Sequence, residues 1–218
     1  MGGDEDATRR RERMVQEQLR SRGIVDERVL AAMATVPRER FIDERHATLA
    51  YADEALPIGA DQTISQPWMV ARMTELLAPR AGGRILELGA GSGYQAAVLG
   101  TMGAQVTSLE RHATLAASAR RRLDHLGLGD AVTVRLADGS LGDPVGAPYD
   151  GIIVTAAAPT IPPELGDQLA DGGRLVIPVG PRERQILMLV ERRGSDWLET
   201  PHGACVFVPL IGPGGFPD

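Results

Sequence analysis

The sequence predicts an α/β fold of the doubly wound kind, with a mostly parallel sheet and an added N-terminal helical segment. A short apolar run at 85–88 is followed by Gly89, Gly91 and Gly93 and then by a helical segment that begins near Tyr94. Beyond this turn, short apolar strands alternate with helical segments, and repeated βα units of this length require parallel strands with helices on both faces. The glycine turn then lies at the carboxyl ends of the strands, where open α/β sheets bind ligands.

The elements of this core follow one another along the chain. The strand at 149–155 is among the most apolar and is expected to be central in the sheet. A short helix is expected after Pro162 and Pro163, because proline is favoured at the first helical position. The order of the last two strands is left open. Strands are predicted at 84–88, 105–110, 131–136, 149–155, 174–178, 185–192 and 204–210, and helices from Tyr94, over 113–126 and over 165–169.

The N-terminal part is predicted to be helical and peripheral. Residues 1–8 are small and acidic, so we expect them to be disordered. Residues 9–22 favour a helix with only a weak apolar stripe, which places it on the surface. Asp26 is a good N-cap for a second helix, which must stop before Pro37. Arginines in this part indicate either an anionic partner or, more often, a solvated helix face; they are Arg9, Arg10, Arg11, Arg13, Arg20 and Arg22.

The segment 51–68 has no helical period and contains glycine and proline, so it is predicted to be a loop that ends in a helix. Ser65 stands where an N-cap belongs, with Pro67 in the first turn. On local pattern alone, a cap is the simpler role for Ser65. The alternative is that Ser65 and the free N–H groups of the first turn bind an anion such as a substrate carboxylate.

Composition limits the possible functions. The chain has 218 residues and is predicted to be a single domain, with N-terminal helices and a substrate loop at 9–78 and a ligand-binding α/β core at 79–218. A net charge of -6 argues against a nucleic-acid partner. The one cysteine, Cys205, excludes a disulfide framework, and the four histidines show no metal-ligand spacing. There is no long apolar run and no signal peptide, so a cytoplasmic protein without a membrane partner is expected, as a monomer.

The glycine turn has the spacing G-x-G-x-G, which differs from the dinucleotide-binding pattern, and it has no lysine as a phosphate-binding loop would. Glu87 lies in the strand before the turn, and Glu110 ends the next strand. Two carboxylates converging on the turn would repel a pyrophosphate but suit a cationic cofactor with an amino group and a ribose diol. S-adenosylmethionine is such a cofactor. The alternative is a glycine-rich turn that binds nothing.

A third strand end supports the same interpretation. Asp138 and Gly139 follow the strand at 131–136, at the same relative height as Glu110 and the glycine turn. We expect Glu110 to bind the ribose hydroxyls and Asp138 with Gly139 to bind the adenine edge. Glu87 is expected to act on the methionine amino group, through the backbone or a water molecule.

Several longer segments carry a family resemblance. The chain resembles the protein-L-isoaspartate (D-aspartate) O-methyltransferases over essentially its whole length. The Thr63-Ile64-Ser65 loop combined with the Ala-Ala-Ala-Pro sequence at 156–159 is specific, whereas the glycine motif is shared with many methyltransferases. Matching segments lie at 56–59, 62–67, 86–99, 149–159, 172–180 and 207–210.

The resemblance implies a Rossmann-like, S-adenosylmethionine-dependent methyltransferase fold. It implies methyl transfer to the α-carboxylate of L-isoaspartyl and D-aspartyl residues in damaged proteins, with Ser65 as the active-site residue. Substrate contacts are expected from Ile64, Ser65, Val206, Phe207 and Val208. Cofactor contacts are expected from Gln62, Thr63, Ile64, Ser65, Glu87, Gly89, Ala90, Gly91, Glu110, Arg111, Asp138 and Gly139.

The chain departs from the family pattern at three positions. Bacterial members commonly have glycine where Asp61 stands, threonine where Ala90 stands and arginine where Val206 stands. Two alternatives stay open beside repair of damaged proteins. One is methylation of an aspartate in a biosynthetic ribosomal peptide, and the other is a nucleotide-binding module without catalytic activity.

Overall fold

A computed structural model describes residues 2–217 of the chain, with side chains from Glu5 onward. Its core is a seven-stranded mixed sheet with the strand order β5-β4-β3-β6-β7-β8-β9, in which β8 pairs antiparallel with both β7 and β9 and all other neighbouring strands pair parallel. A separate hairpin is formed by β1 and β2. The strands are β1 (Leu56–Gly59), β2 (Gln62–Ile64), β3 (Arg84–Leu88), β4 (Gln105–Glu110), β5 (Val132–Leu136), β6 (Tyr149–Val154), β7 (Leu169–Val179), β8 (Gln185–Arg193) and β9 (Asp196–Cys205).

Within residues 2–217, six α-helices and several shorter helical turns accompany the sheet. The chain from Met14 continues through a π-helical turn at Val15–Leu19 and a 3-10 turn at Arg20–Arg22, and further 3-10 turns cover Arg38–Phe41 and Glu44–Leu49. No helix in the described part of the chain is long and apolar enough to cross a bilayer. The α-helices are α1 (Gly2–Met14), α2 (Glu27–Thr35), α3 (Pro67–Leu77), α4 (Tyr94–Thr101), α5 (Ala113–His125) and α6 (Pro163–Asp167).

The central strands are buried on both faces, as the sequence predicts. Side chains alternate between the faces of a strand, so Ile85 belongs to one hydrophobic cluster and its neighbours Leu86 and Leu88 to the other. Helices α2 to α5 cover the first face. The second face is covered by α6 and by irregular chain. The prediction of a doubly wound sheet with β6 at its centre is confirmed.

The N-terminal predictions are partly wrong. The expected disorder of residues 1–8 is contradicted by α1, which begins at Gly2; Met1 lies outside the described residues. The segment 9–22 is not a surface helix either, because Met14, Val15 and Leu19 are at most 4% exposed and join the first cluster. The π-helical turn at Val15–Leu19 changes the direction in which its side chains point relative to a regular α-helix.

The second helix is as predicted. The side chain of Asp26 accepts a hydrogen bond from the amide of Arg28 (2.9 Å) and caps α2, which ends at Thr35 before Pro37.

The predicted loop at 51–68 contains the β1–β2 hairpin instead. Leu56 pairs with Ile64, and the turn residues Ala60 and Asp61 have φ values of 50° and 55°. Hairpin turns favour such left-handed conformations, which glycine adopts freely and aspartate tolerates. This explains how Asp61 can stand where relatives commonly carry glycine.

The last strand is also placed differently from the prediction. β9 ends at Cys205, and the segment 206–210 leaves the sheet instead of forming the strand predicted at 204–210. It crosses the carboxyl end of β6, where Ala157 donates its N–H to Val208 (2.8 Å) and accepts from Leu210 (2.7 Å). The chain therefore runs over the edge of the sheet where the glycine turn lies.

Candidate active site

A cleft with about 1020 Å³ of open space lies at the carboxyl ends of β3, β4, β5 and β6. Open α/β sheets bind their ligands at this edge. Three predicted strand-end features meet there: the glycine turn after β3, Glu110 after β4 and Asp138 after β5. Eleven of the predicted cofactor residues line it, namely Gln62, Thr63, Ile64, Ser65, Gly89, Ala90, Gly91, Glu110, Arg111, Asp138 and Gly139.

The glycine turn is held tightly against the neighbouring strands. The amides of Gly89 and Ala90 both donate to the carbonyl of Leu109 (2.8 and 3.1 Å). The hydroxyl of Thr155 donates to the carbonyl of Gly89 (2.6 Å). Gly89 has a φ of 96°, and a Cβ there would lie 2.6 Å from the Thr155 hydroxyl. Only glycine fits this position, because both the conformation and the contact exclude a side chain.

Glu110 is fixed at the edge of the cleft by the backbone. It is 5% exposed, and its two carboxylate oxygens accept hydrogen bonds from the amides of Gly91 and His112, each at 2.8 Å. A carboxylate oxygen can accept a second hydrogen bond, so both oxygens retain acceptor capacity toward the cleft. The geometry suits a ligand with two neighbouring hydroxyl groups, as predicted for a ribose.

Asp138 begins a tight turn that the C-terminal segment covers. Its carboxylate accepts a hydrogen bond from the amide of Ser140 (2.9 Å). Gly212 packs so closely on this turn that a Cβ would lie 2.8 Å from both Asp138 oxygens. The amide of Gly214 donates to the Ser140 hydroxyl (3.3 Å). The segment that follows Leu210 therefore holds the Asp138 turn in place.

Glu87 does not reach the cleft, so the expectation of two carboxylates converging on the turn needs correction. Its side chain is 0% exposed and accepts a short hydrogen bond from the Ser108 hydroxyl, while Oε1 has no partner among the described residues. Burial, opposed by the hydrogen bond from Ser108 and assisted by the charge of Glu110, raises the pKa of Glu87 to about 8. At neutral pH the Glu87 carboxyl is mostly protonated, so it adds little charge to the turn.

This buried acid predicts a pH-dependent stability. The folded state holds the Glu87 proton more tightly than the unfolded chain does. The protonated carboxyl therefore adds to the free energy of unfolding at low pH, and this stabilisation is lost as pH rises through about 8. In the wild-type protein this lowers the free energy of unfolding by up to about 1.4 kcal/mol per pH unit between pH 5 and 8, and Glu87→Gln should remove this decrease. Urea unfolding of both proteins at several pH values measures this, and parallel profiles would contradict it.

A second cleft, with about 920 Å³ of open space, adjoins the first. The two share Thr63, Ser65, Thr155 and Val208 as lining residues. Four of the five predicted substrate residues line the second cleft, namely Ser65, Val206, Phe207 and Val208; the fifth, Ile64, lines only the first.

Ser65 therefore lies at the junction of the two clefts, and its predicted role as a helix cap is wrong. The N-cap of α3 is Gln66, which makes no side-chain cap, and the amide of Trp68 in the first turn donates to Asp53 (3.4 Å). The proposed first-turn anion site is thus partly filled by a carboxylate of the protein itself. The Ser65 hydroxyl has no hydrogen-bond partner within the described part of the chain and is half-buried at the junction.

Two site residues were not identified from the sequence. Thr155 lines both clefts, and the strand-end argument used for Glu110 and Asp138 could have identified it. Arg22 is one of the arginines for which the sequence favours a solvated helix face over an anionic partner, but it lines the second cleft, forms an ion pair with Asp53 and lies over the ring of Trp68 at 4.8 Å. No local pattern indicates this contact, because the partners are far apart in sequence.

The arrangement allows transfer of a group from a ligand in the first cleft to an acceptor in the second. The walls near the junction offer a hydroxyl donor and apolar side chains. No group of three or more histidine, cysteine or acidic side chains suited to a metal ion occurs among residues 5–217, whose side chains the structure describes.

Comparison with known proteins identifies the family. The model of the family "Protein-L-isoaspartate(D-aspartate) O-methyltransferase (PCMT)" matches residues 9–214. The chain belongs to this family. A protein-L-isoaspartate O-methyltransferase of Methanoregula boonei is 54% identical over 206 residues, covering 94% of each chain. One of Koribacter versatilis is 52% identical, covering 94% of this chain and 92% of the relative.

Solved structures of the same family share the fold. A protein-L-isoaspartate O-methyltransferase structure is 28% identical with a TM-score of 0.84. The match covers 94% of this chain and 66% of the chain in that structure. A second structure, from Plasmodium falciparum in complex with S-adenosyl-L-homocysteine, is 26% identical with a TM-score of 0.78. The match covers 92% of this chain and 98% of the Plasmodium chain. These matches confirm the predicted methyltransferase fold.

Proposed function

We propose that this chain transfers the methyl group of S-adenosylmethionine to the free α-carboxylate of L-isoaspartyl and D-aspartyl residues in damaged proteins and peptides. The observation that carries the proposal is the junction of two clefts at Ser65 in a chain of this family. One cleft would hold the methyl donor and the other the acceptor peptide. The relatives are named for this activity.

The cofactor is assigned to the first cleft. Glu110 would accept hydrogen bonds from both ribose hydroxyls, and Asp138 with Gly139 would bind the adenine. The glycine turn allows the backbone to approach the ligand closely, and Glu110 adds a negative charge beside a cationic sulfonium compound. Gln62 to Ser65, which include strand β2 of the β1–β2 hairpin, would cover the opposite side of the cofactor.

The acceptor needs little chemical activation. An α-carboxylate has an ordinary pKa of about 3.5, so it is ionised at neutral pH and needs no general base. Catalysis then consists of holding one carboxylate oxygen in line with the sulfonium methyl group and excluding water. The Ser65 hydroxyl would donate a hydrogen bond that aims the carboxylate. The methyl ester that forms can cyclise to a succinimide when the backbone nitrogen of the following residue attacks the ester carbonyl and methanol leaves, and this initiates repair.

The ribose assignment predicts a specific loss of cofactor affinity. Glu110→Ala should weaken S-adenosylmethionine binding by about 1.5–3 kcal/mol, the usual contribution of hydrogen bonds to a charged group. Isothermal titration calorimetry measures it. Asp150→Ala is the matched control, because Asp150 also accepts a backbone hydrogen bond, from Arg84 (2.8 Å), but at the opposite end of β3. Unchanged affinity in Glu110→Ala would remove the ribose role.

Methyl transfer to a pair of peptides tests the activity. With radiolabelled S-adenosylmethionine, an isoaspartyl peptide should be methylated and its normal aspartyl twin should not. Comparable labelling of both peptides would favour the biosynthetic alternative, and cofactor binding without transfer would favour a nucleotide-binding module. A cytoplasmic location and a monomeric state belong to the same proposal; size-exclusion chromatography with light scattering tests the latter.

A further inference from the structure

Arg38 is a fully buried arginine that the sequence analysis did not single out. It lies in the 3-10 turn Arg38–Phe41 and is 0% exposed. Its Nε donates to the carbonyl of Ala50 (2.8 Å) and its Nη2 donates to the carbonyl of Ser65 (2.7 Å). The guanidinium lies over the ring of Tyr94, 4.9 Å from its centre. The guanidinium group of Arg38 therefore holds the backbone of Ser65, the proposed active-site serine.

The charge of Arg38 has no direct counter-ion. Its Nη1 is buried without a hydrogen-bond partner, and no carboxylate within the described residues forms an ion pair with it. Asp53 acts on Arg38 only from a greater distance and is itself paired with Arg22. Burial lowers the pKa of Arg38, but a guanidinium stays protonated in proteins. An unpaired buried cation is strongly unfavourable and needs a compensating reason.

The position of Arg38 gives that reason. Ser65 lines both clefts, and Tyr94 lines the cleft assigned to the cofactor, so Arg38 contacts the residue at the junction and one residue of the cofactor cleft. A buried positive charge next to the Ser65 backbone attracts an anion that binds at the junction, because low-dielectric surroundings screen charges weakly. The ligand expected there is the acceptor carboxylate.

We propose that Arg38 is a positioning residue for the acceptor carboxylate: it fixes the Ser65 backbone and supplies the uncompensated positive charge that this carboxylate neutralises on binding. This inference rests on the proposed function, since it takes the acceptor to be an anion at Ser65. It assigns the affinity for the carboxylate mainly to a residue that does not touch the substrate.

The test compares Arg38→Met, which removes the charge and both donors, with Arg38→Lys, which keeps the charge. Binding of an isoaspartyl peptide is measured by calorimetry in saturating S-adenosyl-L-homocysteine, and the binding of S-adenosyl-L-homocysteine alone is measured separately. Arg38→Met should weaken peptide binding tenfold or more and change S-adenosyl-L-homocysteine binding less than threefold. Arg38→Lys should restore most of the peptide affinity. Arg174→Met is the control, because Arg174 donates to the carbonyl of Leu76 at the other end of α3 (3.2 Å).

Three results would overturn the proposal. They are wild-type peptide affinity in Arg38→Met, equal losses in both Arg38 variants, and a parallel loss of S-adenosyl-L-homocysteine affinity. If Arg38→Met does not fold, Arg38→Gln decides: it keeps a hydrogen-bond donor but removes the charge, so it should weaken peptide binding tenfold or more, and wild-type peptide affinity in this variant contradicts the proposal. Failure of the proposed function is distinguishable, because the wild-type protein would then bind no isoaspartyl peptide.

Discussion

Ser65→Asp should produce a folded protein that binds S-adenosylmethionine and transfers almost no methyl group. Ser65 does not cap α3, so the substitution removes no helix-capping interaction. It places a negative charge where the acceptor carboxylate is expected to lie. Two such charges about 4 Å apart repel by roughly 4 kcal/mol near a protein surface, or about a thousandfold in rate. Steady-state kinetics with an isoaspartyl peptide and calorimetry with the cofactor measure both effects.

Two further variants at Ser65 separate charge from shape. Ser65→Asn has the size of the aspartate without its charge and keeps a hydrogen-bond donor, so it should retain much more activity. Ser65→Ala removes one hydrogen bond to a charged group, worth about 2–3 kcal/mol or roughly a hundredfold in turnover. An active Ser65→Asp enzyme would show that the acceptor carboxylate binds elsewhere.

Gly89→Ala should disrupt the cofactor cleft. The new Cβ would meet the Thr155 hydroxyl at 2.6 Å, and the φ of 96° is unfavourable for any residue with a side chain. Moving either residue breaks the hydrogen bond from Thr155 to the Gly89 carbonyl and shifts a side chain that lines both clefts. We expect cofactor affinity to fall at least tenfold, which corresponds to about 1.4 kcal/mol, together with a loss of turnover.

Gly23→Ala is the matched control for backbone strain. Gly23 has a φ of 90°, but a Cβ there would meet nothing within 4 Å. The two variants share a torsional penalty of about 1–2 kcal/mol in unfolding free energy. Only Gly89→Ala should lose cofactor affinity. Equal cofactor binding in both variants would mean that the glycine turn does not form the cofactor site.

The sequence predicts the α/β core well because its signals are local. The apolar run before Gly89 and the alternation of strands and helices determine the order and type of these elements. The N-terminal predictions fail where burial depends on distant partners. The stripe of Met14, Val15 and Leu19 is weak in a regular helix, but a π-helical turn brings it to the core. The segment 206–210 has the composition of a strand, yet it crosses the sheet edge to bond with Ala157.

The site is predictable where it follows strand ends and unpredictable where it depends on tertiary contacts. Glu110 and Asp138 meet the glycine turn because carboxyl ends of parallel strands lie along one edge. Glu87 has the same kind of sequence signal, but alternation along β3 directs its side chain into the core. Arg38 gives no local signal at all, since its partners Ala50, Ser65 and Tyr94 come from separate parts of the chain.

The most direct test is a crystal structure of the ternary complex with S-adenosyl-L-homocysteine and an isoaspartyl peptide. The cofactor product should occupy the cleft beside Gly89 and Glu110, with its sulfur directed to the junction. The peptide should lie in the second cleft, with an α-carboxylate oxygen about 2.6–3.0 Å from Ser65 Oγ, a normal hydrogen-bond length. A peptide bound with its α-carboxylate away from Ser65, or a cofactor product outside the glycine cleft, would contradict this account of the site.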